Sequence, residues 1–168
     1  MVDPNFKRTV LLICEFSTEG AVGFILNRPF SGRLNDVLDD FPDFDVPLWL
    51  GGPVQTDSLH YLHNLGNQLE GSIEIFPGIY WGGDFETLRS MIALGQVDPS
   101  DIRFLLGYSG WGPGQLQDEV DEKSWISLKA KANDVLLPND RDLWSQILQR
   151  QGGEYKVIAT YPEDPQLN

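Results

Sequence analysis

Thr9-Val10-Leu11-Leu12-Ile13-Cys14-Glu15-Phe16 is followed by Ser17-Thr18-Glu19-Gly20 and then by Ala21-Val22-Gly23-Phe24-Ile25-Leu26-Asn27. Both outer stretches are apolar and partly β-branched, a composition that suits strands. The short polar link between them points to an antiparallel hairpin. That opening argues against a doubly wound fold, which needs strands and helices in regular alternation.

The rest of the chain continues the mixture. Leu34–Phe41 has apolar residues at 34, 37, 38 and 41, which is helical spacing, and Pro42–Pro47 breaks it. Leu48–Leu50 is a short buried strand ending at Gly51-Gly52-Pro53, and Leu59–Leu65 and Ser72–Phe76 are strands either side of a polar turn. Tyr80-Trp81-Gly82-Gly83 leads to Asp84, an N-cap for a helix through Leu94 that Gly95 stops. Ile102–Tyr108 is a strand, Gly110–Gly114 a glycine-rich loop, Gln115–Glu122 a short helix and Trp125–Leu128 a strand. Asp140–Gln151 forms a helix closed by Gly152-Gly153, and Tyr155–Tyr161 forms a last strand. The expected fold class is α+β: one compact domain over 1–168, with a mixed, largely antiparallel, curved sheet flanked by helices.

Composition narrows the class. Apolar residues are 41% and charged residues 22% of 168, which is globular rather than disordered. Cys14 is the one cysteine, so an intramolecular disulfide framework and Cys-based zinc or iron–sulfur sites are excluded. The longest strongly apolar run near the start, Val10–Cys14, is too short for a signal peptide or a membrane span. The expectation is a soluble cytoplasmic protein with no membrane contact. Charge is unevenly spread. Residues 1–33 hold four Lys/Arg against three Asp/Glu, residues 34–122 hold two against sixteen, and residues 123–168 hold six of each. The acidic middle would repel a nucleic-acid backbone, so direct DNA or RNA binding is disfavoured. Asp36, Asp39, Asp40, Asp43 and Asp45 have the pattern of a solvated face, with docking of a basic partner as the alternative.

Several residues invite functional readings beside structural ones. Ser109 sits between a strand and a helix as a nucleophile would, but Gly107-Tyr108-Ser109-Gly110-Trp111 misplaces the second glycine of the elbow pattern. Its only candidate bases are His60 and His63. Those two histidines, three apart, share a face on a helix but point to opposite sides of a strand, so no metal site is expected there. The 107–114 glycines lack a following lysine and precede acids, which disfavours phosphate binding. No cofactor motif is present. Cys14 closes an apolar strand and is expected to be an inert thiol. Asn27 and Arg28 end the second strand, either as a structural terminus or with Arg28 as an anion clamp.

Asp3-Pro4-Asn5-Phe6-Lys7-Arg8-Thr9-Val10, Gly20–Pro29, Gly51-Gly52-Pro53-Val54 and Leu106–Leu116 with Trp125 together resemble the YqgE/AlgH family of bacterial proteins. The blocks are ordered as in that family and span most of the chain. The resemblance implies a single α+β domain and a regulatory protein: some members are described as transcriptional regulators, and no enzyme activity is firmly attached to the family. Relatives usually carry an additional apolar strand before the Asp-Pro block. Without it a sheet edge would be exposed. Where relatives often have a histidine after Cys14-Glu15, this chain has Phe16, and relatives can carry alanine at the position of Ser109.

Two functions therefore compete. The first is a non-catalytic binding or regulatory protein for an unidentified protein or small-molecule partner. Its expected cleft lies near the glycine loops at 51–53, 82–83 and 110–114, with Trp81, Tyr108 and Trp111 as aromatic walls. Asn27, Arg28, Gly51, Gly52, Ser109 and Gly112 are its further candidates. The second is a hydrolase using Ser109 with His60 or His63.

Overall fold

The computed structural model describes residues 6–136 and 142–161. Seven strands run β1 (Leu11–Ser17), β2 (Gly20–Ile25), β3 (Leu48–Leu50), β4 (Val54–His63), β5 (Ile73–Phe76), β6 (Ile79–Trp81) and β7 (Ile102–Trp111). Six helices are α1 (Leu34–Val37), α2 (Phe85–Ala93), α3 (Gln115–Asp121), α4 (Ala132–Leu136), α5 (Leu143–Gln151) and α6 (Gly153–Ile158). The sheet order is β1-β2-β7-β4-β6-β5, with β3 also paired to β7. Every strand pair is antiparallel except β3–β7. The expected mixed, largely antiparallel sheet is present.

β7 is shared between the two halves of the sheet. Its first half lies between β3 and β4, pairing Phe104 with Leu48 and with Tyr61. Its second half pairs with β2, Ser109 opposite Gly23 and Trp111 opposite Ala21. The change of partner falls at Gly107, whose φ of +68° is open to glycine and costly for other residues. β4 bends opposite it: its pairing slips between Val54 and Leu59, with Gln55 at φ +46°. This is a bulge that lets one long strand serve two directions of sheet.

Side-chain alternation along β7 then divides the interior. Ile102, Phe104 and Leu106 face one core with α2, whose Leu88, Met91 and Ile92 pack on it. Leu105 faces a second core with Leu12, Phe24, Leu62, Val135 and Leu143, covered by α4 and α5. A third, smaller core joins Ala21, Trp111 and Leu116 to Leu11, Ile13 and Trp125. α2 starts as expected, the Asp84 carboxylate accepting the Thr87 N–H at 2.8 Å. It stops at Gly95, φ +69°.

Four expectations fail. The strand from Ile102 does not stop at Tyr108: β7 continues to Trp111, and Gly110 and Trp111 pair with β2 instead of belonging to a loop. α1 ends at Val37, not Phe41: Leu38 is extended and Asn35 donates to the Phe41 carbonyl at 2.8 Å, holding the chain in a turn. Phe41 still reaches the core, but Val37 is exposed. Trp125–Leu128 is no strand, because no neighbouring strand pairs with it, and Ile126 and Leu128 stay exposed. Tyr155–Ile158 is helical rather than extended. Gly152 and Gly153, both at positive φ, turn the chain back so that α6 packs on α5. There Tyr155, Ile158 and Ala159 are the shielded positions, a helical spacing that the β-branched composition concealed. The start of the expected 140–151 helix lies outside the described residues.

Gly52 shows how closely the halves meet. A methyl group there would stand 2.2 Å from the Tyr108 carbonyl oxygen and 2.5 Å from the Ser109 nitrogen. Both obstacles are backbone, so they yield only by moving a strand. Gly52→Val is expected to lose at least about 1–3 kcal/mol of stability in urea titration, the cost of forced overpacking. A midpoint equal to that of the parent would contradict this packing.

Candidate functional site

The glycine loops do meet, but as packed backbone. Gly51 donates its N–H to the Leu106 carbonyl at 2.7 Å, and its own carbonyl accepts from Ile25 at 2.8 Å. A methyl at Gly51 would lie 2.4 Å from the Gly107 oxygen. Ser109 is fully buried in the same place, with its hydroxyl donating to the Gly51 carbonyl at 3.3 Å. The serine thus bridges two strands. Neither histidine hydrogen-bonds to it, so the hydrolase reading has no geometric support here.

The histidines lie on opposite faces of β4, as strand parity requires. His60 contacts Phe24, Trp81 and Tyr108, with ring centroids 5.1, 6.1 and 6.0 Å away. Its Nε2 is 3.0 Å from the Ser58 hydroxyl, which already donates to the Gln55 carbonyl. The His60 ring therefore donates to Ser58. His63 is fully buried. Its Nδ1 accepts the Leu65 N–H at 3.2 Å, so Nε2 carries the proton and donates to the Gly82 carbonyl at 2.7 Å. Burial lowers the pKa of both rings. Among the described residues no group of three His, Cys, Asp or Glu is placed to hold a metal.

The remaining candidates separate. Trp81 and Tyr108 both border His60. Trp111 belongs to the other end of β7, stacked on Phe6 at 6.3 Å and edge-on to Trp125 at 6.3 Å. Its indole N–H donates to Glu119 Oε2 at 3.0 Å, and that oxygen also accepts the Trp125 indole at 2.8 Å. Gln115 donates to the other Glu119 oxygen at 3.1 Å and accepts the Gly112 N–H at 3.0 Å. Asn27 is a staple: its amide accepts from Val10 and donates to the Arg8 carbonyl, both at 2.8 Å. The Arg28 carbonyl accepts the Leu50 N–H at 2.8 Å. Burial pushes the Cys14 thiol up to about 12, in keeping with an inert thiol.

The large concavity lies elsewhere. A cleft of about 810 Å³ opens along β1, and none of the nine candidate residues lines it. Val10 and Leu12 project to one side with Trp144 and Ile147; Leu11 and Ile13 project to the other with Val120 and Trp125. Residues 124–130 complete the lining. Lys7, Arg8, Lys129 and Arg150 surround the apolar walls, and Asp134 is the one carboxylate among the lining residues. Asp134 is held by Arg150 through two hydrogen bonds of 2.8 Å, and Arg8 lies 4.8 Å above the Trp144 ring.

Sequence reasoning also missed two polar anchors. Arg103 is buried on β7, 4.6 Å above the Trp49 ring and donating to the Leu26 carbonyl. Burial lowers its pKa to about 10, so it stays charged at neutral pH. Its only signal was a lone cation inside an apolar strand. Glu119, which clamps two indoles, looked like one acid among several in a helix.

Trp111 is buried and its N–H is satisfied, so its role in this packing is structural. Trp111→Ala is expected to cost about 3–5 kcal/mol in chemical denaturation. An unchanged melting temperature would show that the Glu119 clamp and the ring stack carry little.

Comparison with known proteins bears on the whole chain. A family model described as AlgH-like matches residues 1–156. A UPF0301 protein of Chlorobium limicola is 45% identical over 168 residues, covering 100% of this chain and 90% of the relative. A UPF0301 protein of Cytophaga hutchinsonii is 42% identical over 167 residues, covering 99% and 92%. The solution structure of the AlgH protein from Pseudomonas aeruginosa superposes with a TM-score of 0.76 at 29% identity, over 96% of this chain and 88% of that one. A crystal structure of a Corynebacterium diphtheriae protein shares the fold, with a TM-score of 0.76 at 22% identity over 96% and 86%. A match over this much of the sequence, on a fold of the same kind, settles the matter of kinship: the chain belongs to the AlgH-like family.

Proposed function

We propose that this protein is a non-catalytic binding protein of regulatory type, acting by occupancy rather than turnover, and that the cleft beside β1 is its working surface. The cleft itself carries the reading. It offers about 810 Å³ bounded mainly by apolar side chains, within the range of ligand sites. Its cationic surround stands out in a chain of net charge −13. That contrast favours an acidic or anionic partner with an apolar body.

Regulation through direct DNA contact is poorly supported. α2 carries Glu86 and Arg89 and α3 carries Asp118, Glu119 and Asp121, so neither suits a phosphate backbone. Among the described residues no helix is long and apolar enough to cross a membrane. A protein or small-molecule partner fits better than either.

The test uses the apolar anionic dye 1-anilinonaphthalene-8-sulfonate, with energy transfer from Trp125 and Trp144 as the readout. The dye should bind the native protein. Leu128→Asp, at an exposed position on the cleft wall, should weaken it several-fold while stability stays within about 0.5 kcal/mol. Binding that is absent, or unchanged by Leu128→Asp, would remove the cleft from the account.

A further inference from the structure

β4 ends at His63, and the chain then runs through 64–72, the β5–β6 hairpin and the Gly82-Gly83 link to α2. His63 touches both ends of that excursion. Its Nδ1 accepts the Leu65 N–H at 3.2 Å, and its Nε2 donates to the Gly82 carbonyl at 2.7 Å. Ser72 stands 3.3 Å from Nε2, while its hydroxyl donates to the Leu69 carbonyl at 2.8 Å. The two segments meet again where the Asp84 N–H donates to the Glu70 carbonyl at 2.8 Å. Leu65 and Leu69 pack into the first core with Leu88 and Met91 of α2. One imidazole thus fastens the 64–72 segment to the link that starts α2.

Only the neutral ring with its hydrogen on Nε2 makes both bonds. A proton on Nδ1 would face the Leu65 N–H, donor against donor, and would put a charge into a fully buried site. Tyr61 of β4 and Tyr80 of β6 face the ring at 6.0 and 5.9 Å and are neutral in acid. Glu70, Glu74, Asp84 and Asp101 are the carboxylates on the segments around it, and none forms an ion pair with His63. Three of them are engaged elsewhere: Glu74 accepts the Gly78 N–H, Asp84 that of Thr87 and Asp101 that of Asp98. Arg103 of β7 lies on the other face of the sheet, over Trp49. His60 is built differently. Its Nε2 bond to Ser58 leaves Nδ1 without a partner, and no buried side-chain nitrogen or oxygen among the described residues lacks one, so that Nδ1 reaches solvent. His60 takes a proton without losing a bond.

From this geometry we infer that His63 is an acid-sensitive latch: protonation of its ring frees the 64–72 segment from the Gly82–Asp84 link and opens that end of the first core, while the rest of the sheet stays folded. None of the residues it joins lines the cleft beside β1, so the device is independent of what the cleft binds. Its direction follows from burial. Desolvation lowers the ring's pKa below its ordinary value of 6.5, and the bond to Gly82 offsets part of that. The closed segment therefore binds fewer protons than the open one. The latch holds fully above about pH 6.5, and below it the open fraction grows about tenfold per pH unit until the closed form is protonated as well. Asp84 remains the cap of α2 through that window, because its bonds from Thr87 hold its carboxyl below the usual carboxylate range.

The experiment uses the full chain and amide hydrogen exchange resolved by residue, corrected for intrinsic rates. Protection of the Leu65 and Asp84 amides should fall at least tenfold between pH 7 and pH 5. At pH 5 it should remain at least tenfold below that of Phe104, which sits between β3 and β4, as a local opening requires. His63→Gln offers a carbonyl and an amide in place of the two ring nitrogens and does not titrate, so Leu65 protection should then be constant over that range. His60→Gln should leave the loss in place. Unchanged Leu65 protection in the parent would overturn the latch. So would protection of Leu65 equal to that of Phe104 at pH 5, the sign of global unfolding, or a loss abolished by His60→Gln. If His63→Gln does not fold, the parent and His60→Gln still decide.

Discussion

Backbone contact between Gly51-Gly52 and Gly107–Ser109 is the constraint on which the architecture depends. At these positions two segments approach so closely that even a methyl group would collide with a carbonyl oxygen. Small residues are needed on both sides, and a left-handed turn is needed at Gly107. The reward is that one strand can pair with β3 and β4 over its first half and with β2 over its second. Ser109 secures the crossing by bonding Gly51 instead of facing solvent. The segment Gly107–Ser109 is thus the joint of the sheet.

The hairpin β1–β2 that this joint attaches to the sheet has a core on each side. α4 and α5 cover one side, and α3 with Trp125 covers the other. β1 lies between them with its outer edge uncovered by any described strand. Apolar walls and exposed peptide groups then coincide along one line. Edge strands of this kind are usually blunted, because they invite further pairing.

Much of the fold was legible because hydrophobic period and turn chemistry agreed. The hairpin 9–27, the short strand at 48–50 and the Asp84-capped helix all formed near their expected limits, while the strand from Ile102 ran on to Trp111. The failures came where local composition was outvoted. Val157, Ile158 and Thr160 favour a strand, yet the Gly152-Gly153 turn returns them to α5 as a helix. Trp125–Leu128 has strand composition and lacks a partner. The site was less legible than the fold. Conspicuous residues such as Trp111, Ser109 and Asn27 have their hydrogen bonds made within the fold. The cleft is walled by ordinary residues of β1, α3 and α5, distant in sequence, and no local pattern brings those together.

The proposed function depends most on the cleft beside β1 being open in the free protein. Amide hydrogen exchange resolved by residue tests this without any ligand. Leu12, bonded toward Phe24, should be strongly protected, and Leu11 and Ile13, directed into the cleft, should exchange orders of magnitude faster. Equal protection of all three would mean that the outer side of β1 is already covered, and the cleft could not serve as a binding surface.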